Sequence, residues 1–119
     1  MYETLLNLEK KFFEIKYISD KNWLNDTLHN DFLECGKSGT LFSKKEVMEE
    51  LLLCLKDRDI EIFNFVCELI GENCWLVHYV TETEDELFFR TSIWVYENQL
   101  QMRFHQATKL SFNVELVKC

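Results

Sequence analysis

The sequence predicts an α+β domain, in which an N-terminal helical half is followed by a meander of antiparallel strands that bends around a pocket. Up to about Asp59, apolar residues recur at the helical spacing of three and four, and after it they alternate with a period of two. The chain has three glycines and no proline, which favours long, uninterrupted elements. With 119 residues and 47% hydrophobic residues, it is expected to fold as one domain over residues 1–119.

Two helices are expected before residue 30. The first covers residues 4–17, where the apolar stripe of a helix lying on a sheet is formed by Leu5, Leu8, Phe12 and Ile15. Ser19 or Asp20 then caps a second, short helix, whose inner face carries Trp23, Leu24 and Leu28.

A short strand and a third helix should follow. The strand is expected at Asp31–Cys35, and the segment Gly36–Gly39 is the strongest turn signal in the chain. Ser43 and Glu46 have the spacing of a capping box, which predicts a helix from there to about Leu55.

The second half predicts four strands rich in β-branched and aromatic residues. The segments that separate them are short enough for hairpins. The strands are expected at Ile60–Cys67, Cys74–Glu82, Leu87–Tyr96 and Gln99–Ala107.

The net charge of −8 argues against nucleic acid and against anionic membranes as partners, since both attract basic surfaces. No secretory leader is expected in the acidic first residues, and no apolar run is long enough to span a bilayer. The five cysteines include no Cys-x-x-Cys pair, so neither a metal site nor a disulfide framework is expected. These observations predict a cytoplasmic protein with reduced thiols and no cofactor.

Three segments resemble one bacterial branch of the nuclear transport factor 2-like superfamily, the domain-of-unknown-function 4440 branch. Asp31–Gly39 (DFLECGKSG) is similar to its D-F-x-E-x-G-x-S-G stretch. Arg90–Trp94 (RTSIW) and Phe104–Thr108 (FHQAT) are similar to its R-S-S-I-W and F-H-Q-G-T segments. The chain departs from the branch by having Ala107 in place of Gly, Lys109 in place of Pro and Leu100 in place of Trp.

This branch is related to the SnoaL-like and ketosteroid-isomerase-like groups. The resemblance implies a cone-shaped α+β barrel. In this fold three helices and a strongly curved, mostly antiparallel sheet enclose a cavity, and two copies often pair through the outer sheet face. Ketosteroid isomerase uses an Asp base with a Tyr and a protonated Asp. The corresponding positions fall near Phe12, Gly36 and Ser92, so that chemistry is expected to be absent.

Each of the three histidines has a structural interpretation. His29 is placed at the end of the second helix, where a cation favours the helix dipole, and His78 on the sheet surface or in an interface. His105 lies in a matched segment, but strand parity turns it away from the cavity and turns Gln106 towards it. We therefore expect His105 to be structural or interfacial.

Two sets of polar side chains could belong to a ligand-binding or catalytic site, and each also has a structural interpretation. If the face of Arg90, Ser92 and Trp94 lines the cavity, Arg90 can hold a carboxylate and Trp94 can provide a stacking wall; if it points outward, the set belongs to an interface. Glu34 on the first strand could be a base with a raised pKa, but bonding to the amides of the turn at residues 37–39 is the favoured interpretation.

The expected function is non-catalytic binding of a small apolar or weakly acidic ligand. Two alternatives stay open: a small isomerase, dehydratase or hydrolase that uses Glu34, Arg90 or His105, and a protein-interaction module such as an adaptor or immunity protein. A homodimer through the sheet face is also expected, since its apolar residues are poorly suited to water. The candidate pocket residues are Trp23, Phe32, Glu34, Tyr79, Arg90, Ser92, Trp94, Phe104 and Gln106.

Overall fold

The computed structural model describes all 119 residues, from Met1 to Cys119. The helices are α1 (Tyr2–Lys11), α2 (Ile15–Ile18), α3 (Lys21–Thr27) and α4 (Lys44–Leu52). The strands are β1 (Leu28–Cys35), β2 (Leu41–Ser43), β3 (Glu61–Gly71), β4 (Cys74–Thr83), β5 (Glu86–Tyr96) and β6 (Leu100–Lys109). The predicted α+β class is confirmed, and none of the helices is both long and apolar enough to cross a bilayer.

One six-stranded sheet runs in the order β2-β1-β6-β5-β4-β3. All neighbouring strands are antiparallel except β1 and β6, which are parallel.

The helices pack on one face of this curved sheet, and that face carries the core. In the hairpin turns, Asn73, Glu84 and Asp85 have positive φ, which such turns need; Asn73 and Asp85 are residue types that tolerate it.

The helix caps follow the sequence closely. Asp20 accepts hydrogen bonds from the backbone N–H groups of Asn22 and Trp23, at 3.0 and 3.1 Å. At α4, the Ser43 hydroxyl accepts from the N–H of Glu46, and the Glu46 carboxylate accepts from the N–H of Ser43. Both predicted caps are confirmed, since each satisfies backbone donors that a helix start leaves free.

The first predicted helix is wrong in length, because α1 ends at Lys11 and a separate short helix, α2, begins at Ile15. Glu14 is extended between them, and the N–H of Ile15 donates to the carboxylate of Asp57, at 2.8 Å. This cap comes from 42 residues away, so no local pattern could indicate it. The break allows Ile18 to turn back into the core, where it is fully buried.

The start of β1 also differs from the prediction. The strand begins at Leu28, and β2 was not expected at all. His29 therefore lies inside a strand and not at a helix end, and its Nδ1 accepts a hydrogen bond from the N–H of Asp31. The cause is tertiary: Leu28 pairs with Met102 of β6 and is fully buried, which extends the strand backwards.

The C-terminal tail is held against a bulge in β3. Asn64 has a φ of 55° at the point where the β3–β4 register shifts. Its backbone N–H donates to the carbonyl of Val117, its side-chain Nδ2 donates to the carbonyl of Glu115, and its Oδ1 accepts from the N–H of Val117. The bulge thus bends the sheet and anchors the last residues of the chain.

Candidate functional site

A cavity of about 480 Å³ lies between the concave face of the sheet and helices α1 and α4. Its size suits a small organic ligand. The apolar wall includes Phe12, Phe13, Phe32, Phe42, Phe88 and Met102. The polar side chains that reach it from buried or half-buried positions include Glu9, Glu34, Arg58, Tyr79, Arg90 and His105, and the exposed Lys37, Glu50 and Asp59 also line it.

Glu9 forms the closed end of this site. It is 1% exposed, and its two carboxylate oxygens accept hydrogen bonds from the Tyr79 hydroxyl at 2.5 Å and from the indole N–H of Trp94 at 2.7 Å. Burial raises the pKa of Glu9, while the bonds from Tyr79, Trp94 and Ser92 and the charge of Arg90 oppose that rise. Burial, together with the Glu9 charge, raises the pKa of Tyr79 well above its usual range. Glu9 is therefore fully engaged with the protein.

Sequence reasoning missed Glu9, although a signal was present. Glu9 lies four residues after Leu5, so it shares the buried face of helix α1 with that residue. A carboxylate inside an apolar helical stripe requires a buried partner, because an unpaired buried charge is costly. That requirement alone would have indicated a polar contact between α1 and the sheet.

His105 is linked to Glu9 through the hydroxyl of Ser92. Its Nδ1 is 2.7 Å from the Ser92 hydroxyl, and its Nε2 is 3.5 Å from Nη1 of Arg90. A guanidinium can only donate, so we assign Nε2 as the acceptor and Nδ1 as the protonated nitrogen that donates to Ser92. Burial and the charges of Arg90 and Arg58 lower the pKa of His105 to about 3, which keeps the ring neutral at pH 7.

The prediction that His105 points away from the cavity is wrong, and a β-bulge is the reason. Along β6, Trp94 pairs with Met102 while Ile93 pairs with Phe104, so Arg103 is an extra residue without an opposite partner. The extra residue reverses the alternation beyond it. His105 is consequently buried on the inner side, and Gln106, expected inside, is exposed.

Arg90 and Arg58 place two guanidinium groups in the cavity wall. Arg90 is 8% exposed; its Nε donates to the Thr81 hydroxyl at 2.8 Å. Nη1 of Arg58 donates to the carbonyl of Phe12, at 3.3 Å, and burial lowers the pKa of Arg58. Both groups lie over the ring of Phe13, with their central carbons 5.0 Å (Arg58) and 5.5 Å (Arg90) from its centroid.

Neither of these arginines forms an ion pair. The one side-chain ion pair of the protein joins Lys109 to Glu86, at 3.7 Å on the surface. No buried polar side-chain atom lacks a hydrogen-bond partner, so Nη2 of Arg90, which has none, must be accessible from the cavity. The cavity therefore presents positive charge that the protein does not pair directly.

Glu34 faces the cavity from β1 without a hydrogen-bond partner. The favoured prediction, in which it bonds the turn amides, is wrong, because the turn closes on its own backbone: the N–H of Gly36 donates to the carbonyl of Thr40, and that of Gly39 to the carbonyl of Gly36. Burial raises the pKa of Glu34, and the charges of Arg58 and Arg90 act in the opposite direction. Glu34 pairs across the parallel strands with His105.

The structure separates the candidate pocket residues into two groups. Phe32, Glu34, Tyr79 and Arg90 line the cavity. Arg90, Ser92 and Trp94 do face inward, but Ser92 and Trp94 are fully buried behind the cavity wall. The prediction of a lining position is wrong for Trp23, Ser92, Trp94, Phe104 and Gln106.

The reasons differ from residue to residue. Trp23 packs on the rings of Phe12 and Tyr17, between helices and away from the opening. Phe104 pairs with Ile93 and Leu33 on the outer side of the sheet, because it follows the bulge. Arg58 lines the cavity but was not predicted to do so. It lies in the irregular segment between α4 and β3, where no periodicity indicates which side chains turn inward.

Known structures share this fold. A nuclear transport factor 2-like (NTF2-like) protein from Cytophaga hutchinsonii superposes with a TM-score of 0.75 at 18% identity, over 91% of this chain and 97% of that one. For an NTF2-like protein of unknown function from Prochlorococcus sp. NATL2A, the TM-score is 0.73 at 18% identity, over 93% and 94%. One from Rhodospirillum rubrum, described as of unknown function in nutrient uptake, gives 0.69 at 17%, over 92% and 95%.

The likeness establishes that the chain has the nuclear transport factor 2-like cone fold. No protein-family model matches the sequence, and a search of curated proteins finds no significant match. Because this fold carries many unrelated activities, the function has to be argued from the cavity itself.

Proposed function

We propose that this chain is a nuclear transport factor 2-like protein whose cavity binds a small, mainly apolar ligand with an acidic group. Arg58 and Arg90 hold the acidic group, and the aromatic wall packs against the apolar body. The observation that carries the proposal is the pair of guanidinium groups that reach the cavity without a carboxylate partner. A planar guanidinium binds a carboxylate through two parallel hydrogen bonds, which makes an acid the natural ligand group.

The energetics favour a ligand that combines both features. A charge-assisted hydrogen bond contributes about 1.5–3 kcal/mol, which corresponds to roughly a ten- to hundredfold change in affinity. An apolar body adds about 25 cal/mol for each Å² that leaves water, and the phenylalanine side chains of the wall supply that surface.

The proposal is tested with 3-phenylpropanoate and its neutral analogue 3-phenylpropan-1-ol by isothermal titration calorimetry. Arg90→Ala and Arg58→Met should each weaken the acid by roughly ten- to a hundredfold and leave the alcohol nearly unchanged. Arg103→Gln is the matched control, because this third arginine is the bulge residue and does not line the cavity. Failure of both probes to bind the wild-type protein would refute the proposal.

The parallel pairing of Glu34 with His105 favours a second candidate, a proton-transfer enzyme. Both nitrogens of His105 have partners, so Glu34 would be the base. It would take a proton from a carbon next to a carbonyl, leaving an enolate near the arginines, and deliver the same proton to the enolate oxygen, which completes a keto–enol isomerisation. Exchange of the C3 hydrogens of phenylpyruvate in D₂O, above the spontaneous rate and lost in Glu34→Gln, would support this candidate; exchange at the spontaneous rate would reject it.

We further propose that two copies pair through the outer face of the sheet, as expected from the sequence. Four apolar residues form a continuous row across β4, β5, β6 and β1, since Leu76 pairs with Ile93, Ile93 with Phe104, and Phe104 with Leu33. Sedimentation velocity should show a dimer at micromolar concentration, and Ile93→Lys should shift it to the 14.4 kDa monomer. A monomeric wild-type protein would contradict this.

The proposal also includes the branch of the superfamily and the cellular location of the protein. Membership of the domain-of-unknown-function 4440 branch is supported by the three matched sequence segments. A cytoplasmic location is supported by the five cysteines, all of which are free thiols in the structure.

A further inference from the structure

The two carboxylates of the cavity differ in what they can still bind. Glu9 uses both oxygens for Tyr79 and Trp94. Glu34 lines the same cavity and makes no hydrogen bond or ion pair with the protein. Because no buried side-chain oxygen lacks a partner, the carboxylate oxygens of Glu34 are accessible. Glu34 is therefore an acceptor that faces the space a ligand would fill.

The Glu34 carboxylate and the Arg90 guanidinium lie on either side of His105. Glu34 pairs with His105 across the strands, and Nη1 of Arg90 reaches to 3.5 Å from Nε2 of that same His105. Glu34 on β1 and Arg90 on β5 thus flank β6, and the charge of Arg90 acts on the carboxyl group of Glu34 across the cavity wall. They do not touch each other as an ion pair. A ligand with an acidic and a basic group on neighbouring atoms matches this arrangement.

The charges of the cavity also favour a ligand that carries both an acidic and a basic group. Its buried and half-buried lining carries two guanidinium groups, Arg58 and Arg90, and two carboxylates, Glu9 and Glu34, while the charged residues Lys37, Glu50 and Asp59 line it from exposed positions. A simple acid adds one negative charge next to Glu34, whereas a ligand that also carries an ammonium group adds none. The ammonium group therefore gives Glu34 a partner of opposite charge, whereas a simple acid leaves that carboxylate unpaired.

We propose that the ligand is a small apolar amino acid, whose carboxylate binds Arg58 and Arg90 and whose ammonium group binds Glu34. This inference rests on the proposed function, because it uses the same cavity and the same arginines, and it adds the chemical class of the ligand. The apolar side chain of the amino acid lies against the aromatic wall, which includes Phe13 and Phe32.

Three probes with the same phenyl group separate the contributions: L-phenylalanine, 3-phenylpropanoate and phenethylamine. Calorimetry with the full chain should show that phenylalanine binds the wild-type protein roughly tenfold or more tightly than 3-phenylpropanoate. Phenethylamine, which lacks the acid, should bind more weakly than phenylalanine by a similar factor. Glu34→Gln should abolish the advantage of phenylalanine and leave the affinity for 3-phenylpropanoate equal or higher.

Glu50→Gln is the matched control, because Glu50 also borders the cavity but is exposed. It should change the affinity for phenylalanine by less than about twofold, since exposed ion pairs contribute little. Equal binding of phenylalanine and 3-phenylpropanoate, or loss that follows Glu50 and not Glu34, would overturn the inference while the proposed function stands. If none of the three probes binds the wild-type protein, the proposed function fails and this inference fails with it.

Discussion

Glu9 and Glu34 are the same residue type in the same cavity, yet the protein treats them in opposite ways. At the closed end, helix α1 brings Glu9 against Tyr79 and Trp94, and each oxygen receives a hydrogen bond. At the open side, β1 carries Glu34 to the wall without any protein partner. Burial raises the pKa of both carboxylates, so depth alone does not distinguish them. The difference lies in the hydrogen-bond donors that surround each group.

This comparison teaches how a small cone fold divides its polar groups. A buried carboxylate with both oxygens satisfied fixes the position of a helix on a sheet, since moving it would leave several groups unpaired. A carboxylate with free oxygens contributes little to the fold and remains available to a ligand. The two ends should therefore respond very differently to the same kind of substitution.

The largest effect is expected at the closed end. Glu9→Leu keeps a similar volume but leaves the Tyr79 hydroxyl and the Trp94 indole N–H without their acceptor. Each unpaired buried donor costs about 1–3 kcal/mol, so the loss of the acceptor for both should lower the free energy of unfolding by about 2–6 kcal/mol in urea titrations.

Two further variants isolate this effect. Glu3→Leu, on an exposed position of the same helix, should change the free energy of unfolding by less than about 0.5 kcal/mol. In a Trp94→Phe background, Glu9→Leu should cost less, because one of the two donors is already absent. Equal losses from Glu3→Leu and Glu9→Leu would show that the closed end is not special.

An intermediate effect is expected from His105, which connects the two ends. The unfolded chain binds a proton at the imidazole below about pH 6.5, whereas the folded protein binds it only near pH 3. Between these values the unfolded state binds more protons, so the stability that neutral His105 provides is lost as the pH falls. Between pH 6.5 and pH 5 the loss amounts to about 2 kcal/mol.

His105→Gln removes this titration and keeps a polar side chain. The free energy of unfolding of the wild-type protein should therefore fall more steeply from pH 7 to pH 5 than that of the variant. Parallel pH profiles for the two proteins would mean that folding does not lower the pKa of His105, so that the ring takes up a proton as readily in the folded protein as in the unfolded chain.

The smallest effect is expected at the open side. Glu34→Gln removes a charge that has no partner in the protein, so the free energy of unfolding should stay within about 0.5 kcal/mol of the wild-type value. Any change should be a gain, because an amide is less costly to desolvate than a carboxylate. A loss comparable to that of Glu9→Leu would abolish the distinction between the two ends.

The amino-acid sequence was sufficient for the fold class and for most elements, because periodicity and capping are local properties. Asp20, Ser43 and Glu46 cap their helices as their spacing predicts. The candidate site was harder, since its geometry depends on contacts between distant residues. Glu9 meets Trp94 across 85 positions, and Arg58 belongs to a segment without regular structure.

Strand parity failed at a single point, which shows the limit of counting along a strand. Counting back from the apolar face of β6 assumes an uninterrupted alternation, and nothing about Arg103 indicates that it interrupts one. Within one uninterrupted strand the method worked: Arg90, Ser92 and Trp94 do share the inner face of β5. Which face a side chain takes therefore depends on how a strand pairs with its neighbour, and the sequence of the strand alone does not determine it.

The bulge at Arg103 decides which side chains of β6 enter the cavity. If the same residues paired without a bulge, Arg103 would take a place in the ladder, His105 would face the outer surface, and its neighbours Phe104 and Gln106 would face the interior. Deletion of Arg103, in contrast, would leave Phe104 opposite Ile93 and His105 opposite Ser92, so His105 would stay inside. Proteins of this fold that keep the residue but pair this strand without a bulge should consequently line their cavities with the other set of side chains, even where their aligned residues look alike.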